Sequence, residues 1–324
     1  MKPVKMSLTP AKAPANASPA SAPRRRWLAA LAGSVLAAAG KPSWSQPAPA
    51  ARPRPFSSGA ERARGPRLVT VGGGITEVVY ALGAQRQLVG TDTTSLFPDA
   101  AQATPKVGYM RQLSAEGLLA LRPDALVAGT DAGPPVVLDQ IRSAGVQVEL
   151  IESDHSWDEV RRKVAAVGRA TGREADARAL QQQLDARWET VTARVRQGRR
   201  AHPPKVLFVL SHTGSPLVSG EGTAAHAVIG FMGARNAMGG FKGYRPMTAE
   251  AMAAAAPDLI LMTTQGLEAV GGAQQFWQRP ELALTPAYRQ RQGARSLLHM
   301  DALELLGFGP RLPGVVEKLH QWVV

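Results

Sequence analysis

From residue 67 onward, short apolar runs alternate with amphipathic stretches. RLVTVG, QLVGTD, ALVAG and VQVELI in the first half, and KVLFVL, DLILMT and SLLHMD in the second, are rich in Val, Ile and Leu. They are too short for buried helices, so they predict strands covered on both faces. Apolar positions at helical spacing predict helices between them, over residues 76–82, 135–144 and 223–232, with a closing helix at the C-terminus. Strand and helix in alternation predict an α/β class with a parallel sheet in each half.

Between the halves, SWDEVRRKVAAVGRATGREADARALQQQLDARWETVTARVRQG is helical almost throughout. Ser156 with Glu159, and Thr171 with Glu174, each match a capping box, so two helices are expected, the second over residues 173–197. At ~1.5 Å per residue the second would run about 37 Å, enough to cross from one lobe to another. The expected architecture is two Rossmann-like α/β lobes, residues 67–155 and 199–324, joined through a helical connector, residues 156–198. A single long helix between them leaves a ligand cleft at the carboxyl ends of the strands.

The halves also share a motif. At a constant offset of 134, LSAEGLLALRPDALV (residues 113–127) lies over MTAEAMAAAAPDLIL (residues 247–261). Ala115, Glu116, Ala120, Pro123 and Asp124 fall on Ala249, Glu250, Ala254, Pro257 and Asp258. Each copy reads as a Ser or Thr N-cap, an acid in the first turn, about two turns of helix, a Pro-Asp stop and an apolar strand. The same offset carries Arg111 onto Arg245, while Tyr109 misses Tyr244 by one position.

The N-terminus is different in kind. Within residues 1–45, PRRRWLAALAGSVLAAAG joins an arginine cluster to an apolar run too short to span a bilayer, which reads as an export signal peptide. Arg24 and Arg25, followed at one remove by Trp27 and Leu28, also fit a twin-arginine signal. Residues 46–66 read as a Pro- and Ala-rich leader.

Charge follows this division. The chain carries +13, but seven Lys or Arg and no acid lie in residues 1–45, leaving +6 for the rest, and residues 46–66 hold four more bases and one acid, leaving +3. The basicity is largely in the leader, so nucleic-acid binding, which wants a basic stripe on a folded face, is not expected. No cysteine is present, which excludes disulfides, Cys-ligated zinc, iron–sulfur clusters and a cysteine nucleophile.

This architecture resembles the substrate-binding proteins of ATP-driven importers, in the subgroup whose lobes are bridged by one helix, and the likeness covers residues 67–324. GYMRQLSAEGLLALRPD and LLGFGPRLPGVV (residues 305–316) are similar to stretches of haem-binding proteins that feed bacterial haem importers. The resemblance implies a periplasmic, monomeric, non-enzymatic protein that carries ferric haem between its lobes to a dimeric membrane permease. Glu116 and Glu250, also first-turn helix acids in their own right, would dock on that permease.

The chemistry of Tyr109 suits the implied ligand. Ferric iron favours a hard anionic donor, and tyrosinate is one option for haem. The phenol ordinarily titrates near 10, so ligation at neutral pH needs the iron and nearby positive charge. Arg111 would supply that charge or hold a propionate, and Arg245, with Tyr244 beside it in the corresponding loop of the other half, is a second propionate candidate facing the same cleft. His212, just after KVLFVL, is a candidate for a second iron ligand or a second haem, with a hydrogen-bonded loop histidine as the alternative. The other histidines carry less weight: His155 abuts a helix N-terminus, His202 sits in a linker, His226 is on a helix, His320 is near the C-terminus, and His299, in the final strand, reads as structural; no His-x-x-x-His spacing suggests zinc or manganese.

Two other readings use the same residues. Cobalamin or a ferric siderophore would occupy the same cleft without needing a phenolate. An NAD-dependent enzyme is suggested by Gly72-Gly73-Gly74 after a strand, with Asp92 ending the next strand, but Glu77 replaces the third fingerprint glycine and would set a charge beside a pyrophosphate.

Overall fold

The computed structural model describes residues 65–211, 215–292 and 296–324. Strands β1 (Leu68–Val71), β2 (Leu88–Thr91), β3 (Ala125–Gly129) and β4 (Gln147–Ile151) form one parallel sheet in the order β2-β1-β3-β4. Helices α1 (Gly73–Ala81), α2 (Ala115–Ala120) and α3 (Pro135–Ser143) alternate with them, and α4 (Trp157–Thr171) and α5 (Glu174–Gln197) follow.

The second sheet contains β5 (Lys205–Leu210), β6 (Leu217–Ser219), β7 (Arg235–Asn236), β8 (Tyr244–Pro246), β9 (Leu259–Thr263) and β10 (Leu297–Met300). Its order is β10-β9-β5-β6-β8 with β7 alongside β5; β6 is antiparallel to both neighbours and the other pairs are parallel. Its helices are α6 (Ala224–Phe231), α7 (Ala249–Ala255), α8 (Thr264–Ala269), α9 (Gly272–Trp277), α10 (Pro286–Arg289), α11 (Ala302–Leu306) and α12 (Leu312–His320). Among the described residues no helix is long and apolar enough to cross a membrane.

The apolar strands divide their side chains between two faces. In β5, Val206 and Phe208 join a core that runs beneath α1, α4, α5, α6 and α12, while Leu207 and Val209 join a separate core on the opposite face. In β1, Leu68 belongs to the shared core and Val69 and Val71 to a third cluster under α2 and α3. Period-two alternation across sheets covered on both sides explains why the strands read as continuous apolar runs.

Helix α5, about 36 Å long at ~1.5 Å per residue, makes the crossing between the sheets. Helix α4 folds back along it and packs on α1, β3 and β4, while α5 reaches α12. Ser156 caps α4 as expected, accepting from Glu159 N at 3.1 Å. The second capping box does not form. Thr171 is the last residue of α4 and donates to Val167 O at 2.7 Å, Gly172 takes the left-handed φ of 68° that ends the helix, and Arg173 stands at the N-cap of α5. A glycine free to adopt positive φ outweighs a weak hydroxyl cap here.

The repeat folds in register. Ser114 and Thr248 cap α2 and α7, and 134 residues apart Arg122 (φ 48°) and Ala256 (φ 45°) both turn left-handed before Pro-Asp. Asp124 Oδ2 accepts from Arg67 N at 2.8 Å and Asp258 Oδ2 from Lys205 N at 2.9 Å, so each Asp ties its motif to the start of the neighbouring strand.

Helix α1 begins three residues earlier than its apolar spacing predicts, because its glycines meet another backbone. A Cβ on Gly74 would collide with the carbonyl oxygen of Gly307, and one on Gly309 would lie 3.2 Å from Gly74 Cα. The LLGFGPRLPG stretch therefore crosses from the second sheet onto the first turn of α1. Arg311 fastens it with two bonds to Glu77, Nη2 to Oε1 at 2.6 Å and Nε to Oε2 at 3.0 Å. Lys163 on α4 donates to Gly307 O and Phe308 O at 3.0 and 3.1 Å and pairs with Glu159 at 2.6 Å, so all three of its ammonium donors are used.

Candidate functional site

In the first sheet all strands are parallel, so the loops after them open at one end. The Tyr109 loop is stitched over that end: Thr93 N donates to Gly108 O at 3.0 Å, Gly133 N to Met110 O at 2.9 Å, and Leu113 N to Gly133 O at 2.9 Å. Gly108 has φ of 102°, which lets the chain turn into the loop. Lys106 anchors it from beneath, donating to Thr91 Oγ1, Ser95 O and Ala101 O at 2.9 to 3.0 Å. Burial pulls the Lys106 ammonium below its ordinary pKa, with Asp92 opposing.

Tyr109, Met110 and Arg111 then alternate outward, inward and outward. Met110 packs against the core under α2 and α3, while Tyr109 is 43% exposed. The exposed Arg111 guanidinium lies 3.5 Å from Asp131 Oδ2, and Asp131 Oδ1 accepts from Ser153 Oγ at 3.0 Å. Asp131 and Ser153 follow β3 and β4 and aim the arginine. Sequence reading missed both, although an acid just beyond a strand's carboxyl end was a usable signal.

Tyr244 and Arg245 occupy edge strand β8, not a loop like that of their counterparts, because residues 217–219 pair with them antiparallel, Ser219 opposite Tyr244 and Val218 opposite Arg245. Strand alternation sends the two side chains apart. Arg245 stacks its guanidinium 4.4 Å from the centre of the Phe241 ring. Burial pushes the half-buried Tyr244 phenol above its ordinary pKa, and the Arg111 guanidinium of the other lobe pulls it down. Tyr244 therefore stands within the electrostatic reach of Arg111 across the opening, as a neutral phenol able to donate at ordinary pH. His212 lies outside the described residues.

Glu116 and Glu250 are both exposed in the first turns of α2 and α7. No group of three or more His, Asp or Glu able to hold a metal ion occurs among the described residues.

The dinucleotide reading fails on geometry. Asp92 is fully buried and its carboxylate is taken by Gly72 N, Thr94 N, Thr94 Oγ1 and Ser95 Oγ at 2.6 to 3.0 Å, leaving nothing for a ribose. The space where a pyrophosphate would lie is filled by Gly307, Gly309 and the Arg311 that neutralises Glu77.

The family model for periplasmic binding proteins matches residues 68–294. The chain belongs to the periplasmic binding protein family. This is a family of substrate-binding proteins and not of enzymes. Among solved structures, the periplasmic haem-binding protein BhuT in complex with two haems shares 46% identity, with 80% of this chain and 97% of that chain covered and a TM-score of 0.75. The periplasmic haem-binding protein RhuT from Roseiflexus sp. RS-1, in apo form, shares 34% identity over 80% of this chain and 100% of that chain, with a TM-score of 0.74.

Curated relatives are more distant. The Bacillus subtilis protein YvrC, described as an uncharacterized ABC transporter substrate-binding lipoprotein, is 26% identical over 196 residues, 60% of this chain and 62% of its own length. The vitamin B12-binding protein of Yersinia pestis is 23% identical over 242 residues, 73% of this chain and 84% of its own.

Proposed function

We propose that this periplasmic binding protein is the substrate-binding component of a haem ABC importer, holding ferric haem in the interlobe cleft and passing it to a membrane permease dimer. The observation that carries the reading is the Tyr109–Arg111 pair, both exposed on a loop stitched down by backbone hydrogen bonds, with the Arg111 charge felt by Tyr244 of the other lobe. The 46% identity to a haem-binding protein supports it.

In this reading Tyr109 is the axial donor to iron. Arg111, held by Asp131, favours the phenolate or grips a propionate through charge-assisted bonds. Tyr244 donates a hydrogen bond from the opposite lobe, Arg245 is an outer propionate contact, and His212 is the candidate second iron donor or the ligand of a second haem. Glu116 and Glu250 dock on the two halves of the permease, so replacing both with Ala should abolish uptake while leaving hemin binding unchanged. Residues 67–155 and 199–324 act as the lobes about the 156–198 connector. Residues 1–45 direct export by the twin-arginine route, which Arg24→Lys with Arg25→Lys should block.

The deciding experiment titrates the mature protein with hemin, cyanocobalamin and a ferric siderophore, followed by visible absorption. Saturable hemin binding at one or two equivalents, without cobalamin binding, is expected. Cobalamin binding in place of hemin would follow the Yersinia relative and overturn the proposal.

A further inference from the structure

We propose that Glu77, Lys163 and Arg311 are positioning residues for the ligand site, registering the Tyr109 loop against the C-terminal lobe. This rests on the reading of Tyr109 as the ligand-side donor.

By chain the two lobes are joined through the α4–α5 connector, and their side chains share the core beneath α1, α4, α5, α6 and α12, an apolar contact without directional bonds to fix its register. The crossing of residues 305–311 onto α1 is a second tether, made between residues 234 positions apart. It is stiff for three reasons. The backbones of Gly74 and Gly307 touch without intervening side chains, and a Cβ on Gly309 would sit 3.0 Å from Glu77 Oε2. The Arg311 fork grips both oxygens of a carboxylate whose side chain is only 4% exposed. Lys163 clamps the same segment from α4 through Gly307 and Phe308. Burial pushes the Glu77 carboxyl up in pKa, and Arg311 and Lys163 pull it back.

From this tether an unbroken set of bonds reaches Tyr109. The first turn of α1 is bound to the following loop through Gly72 N to Asp92 Oδ1 at 3.0 Å, Gly73 N to Thr94 Oγ1 at 3.1 Å, and Thr76 Oγ1 with Ser95 Oγ at 2.7 Å. The next link, Thr93 N to Gly108 O at 3.0 Å, holds the residue before Tyr109. Moving the C-terminal segment therefore moves the Tyr109 loop, and freeing it lets the two sides of the cleft drift.

The cysteine-free chain allows a direct test. Val136→Cys and Leu284→Cys place spin labels at side chains 60% and 73% exposed on opposite lobes, and double electron–electron resonance reads their separation without ligand. Arg311→Met, and Arg311→Met with Glu77→Gln, should shift or broaden an otherwise narrow distribution. Hemin dissociation should also accelerate about tenfold, the factor set by ~1.4 kcal/mol, while the type of iron spectrum stays the same and Tyr109→Phe leaves the label distance unchanged. Because the single variant leaves a buried charge, the neutral double variant and Gly309→Ala, which keeps both charges, decide the matter if it fails to fold. A distribution identical to the parent in the folded variants would overturn the proposal. The label distance needs no haem, so the tether and the haem reading can fail separately.

Discussion

In both lobes a two-turn helix capped by Ser114 or Thr248 ends at a left-handed residue, and an Asp beyond Pro ties it to the neighbouring strand. Ahead of that shared scaffold the lobes part. Tyr109 and Arg111 stand together on an exposed loop, whereas Tyr244 and Arg245 sit on an edge strand that turns them apart. The scaffold answers to backbone hydrogen bonds that any buried chain must satisfy. The segment before it faces solvent or ligand and is free to diverge, so one fold motif carries two different surfaces.

The largest expected effect separates the two tyrosines. In the proposed reading Tyr109→Ala removes the iron ligand, and since even outer partners of metal ligands are worth 10–100-fold, hemin affinity should fall by at least about 100-fold. Tyr244→Ala removes one hydrogen bond, ~1 kcal/mol, and should cost less than about tenfold in the same titration. The reverse order would place the ligand-bearing side in the C-terminal lobe.

The shared scaffold predicts equality instead. Asp124→Ala and Asp258→Ala each remove one carboxylate hydrogen bond to a backbone N–H at or near the protein surface, so urea unfolding should show losses of ~0.5–1.5 kcal/mol that match between the two lobes. Clearly unequal losses would mean that the repeat is not structurally equivalent. Smaller again, Arg111→Ala should weaken hemin binding about tenfold and Arg245→Ala by less than about threefold, because Arg245 is held over Phe241.

The smallest effect concerns pH. Burial raises the folded Tyr244 phenol above its ordinary value of 10.0, with Arg111 opposing. A group raised in the folded state contributes stability that is complete below the unfolded pKa and is lost as pH rises through the folded one. The parent should therefore lose stability above pH ~10, and Tyr244→Phe should lose less. Identical alkaline profiles for the two proteins would contradict the assignment of Tyr244 as a partly desolvated neutral donor.

The strands, the repeat and the long crossing helix were legible because each rests on local periodicity and on Ser, Thr, Pro and Asp signals. The loop position of Tyr109 and Arg111 was legible for the same reason. What was hidden depends on distant partners. Gly72, Gly73 and Gly74 carry the pattern of a nucleotide turn, and only the arrival of Gly307, more than 230 residues away, shows Gly74 to be the site of a backbone-to-backbone contact, with Arg311 pairing Glu77 beside it. The 305–316 stretch resembled haem-binding proteins, yet the structure makes it a fastening between lobes. Tyr244 was expected on a loop because its strand partner, β6, is only three residues long and gives almost no periodic signal.

The central claim is that Tyr109 binds the iron of haem. It is tested most directly by the visible and resonance Raman spectra of the hemin-loaded mature protein beside Tyr109→Phe. The account predicts a high-spin ferric-tyrosinate spectrum in the parent and its loss in the variant. An unchanged spectrum in Tyr109→Phe would contradict it and move the iron to His212 or another donor.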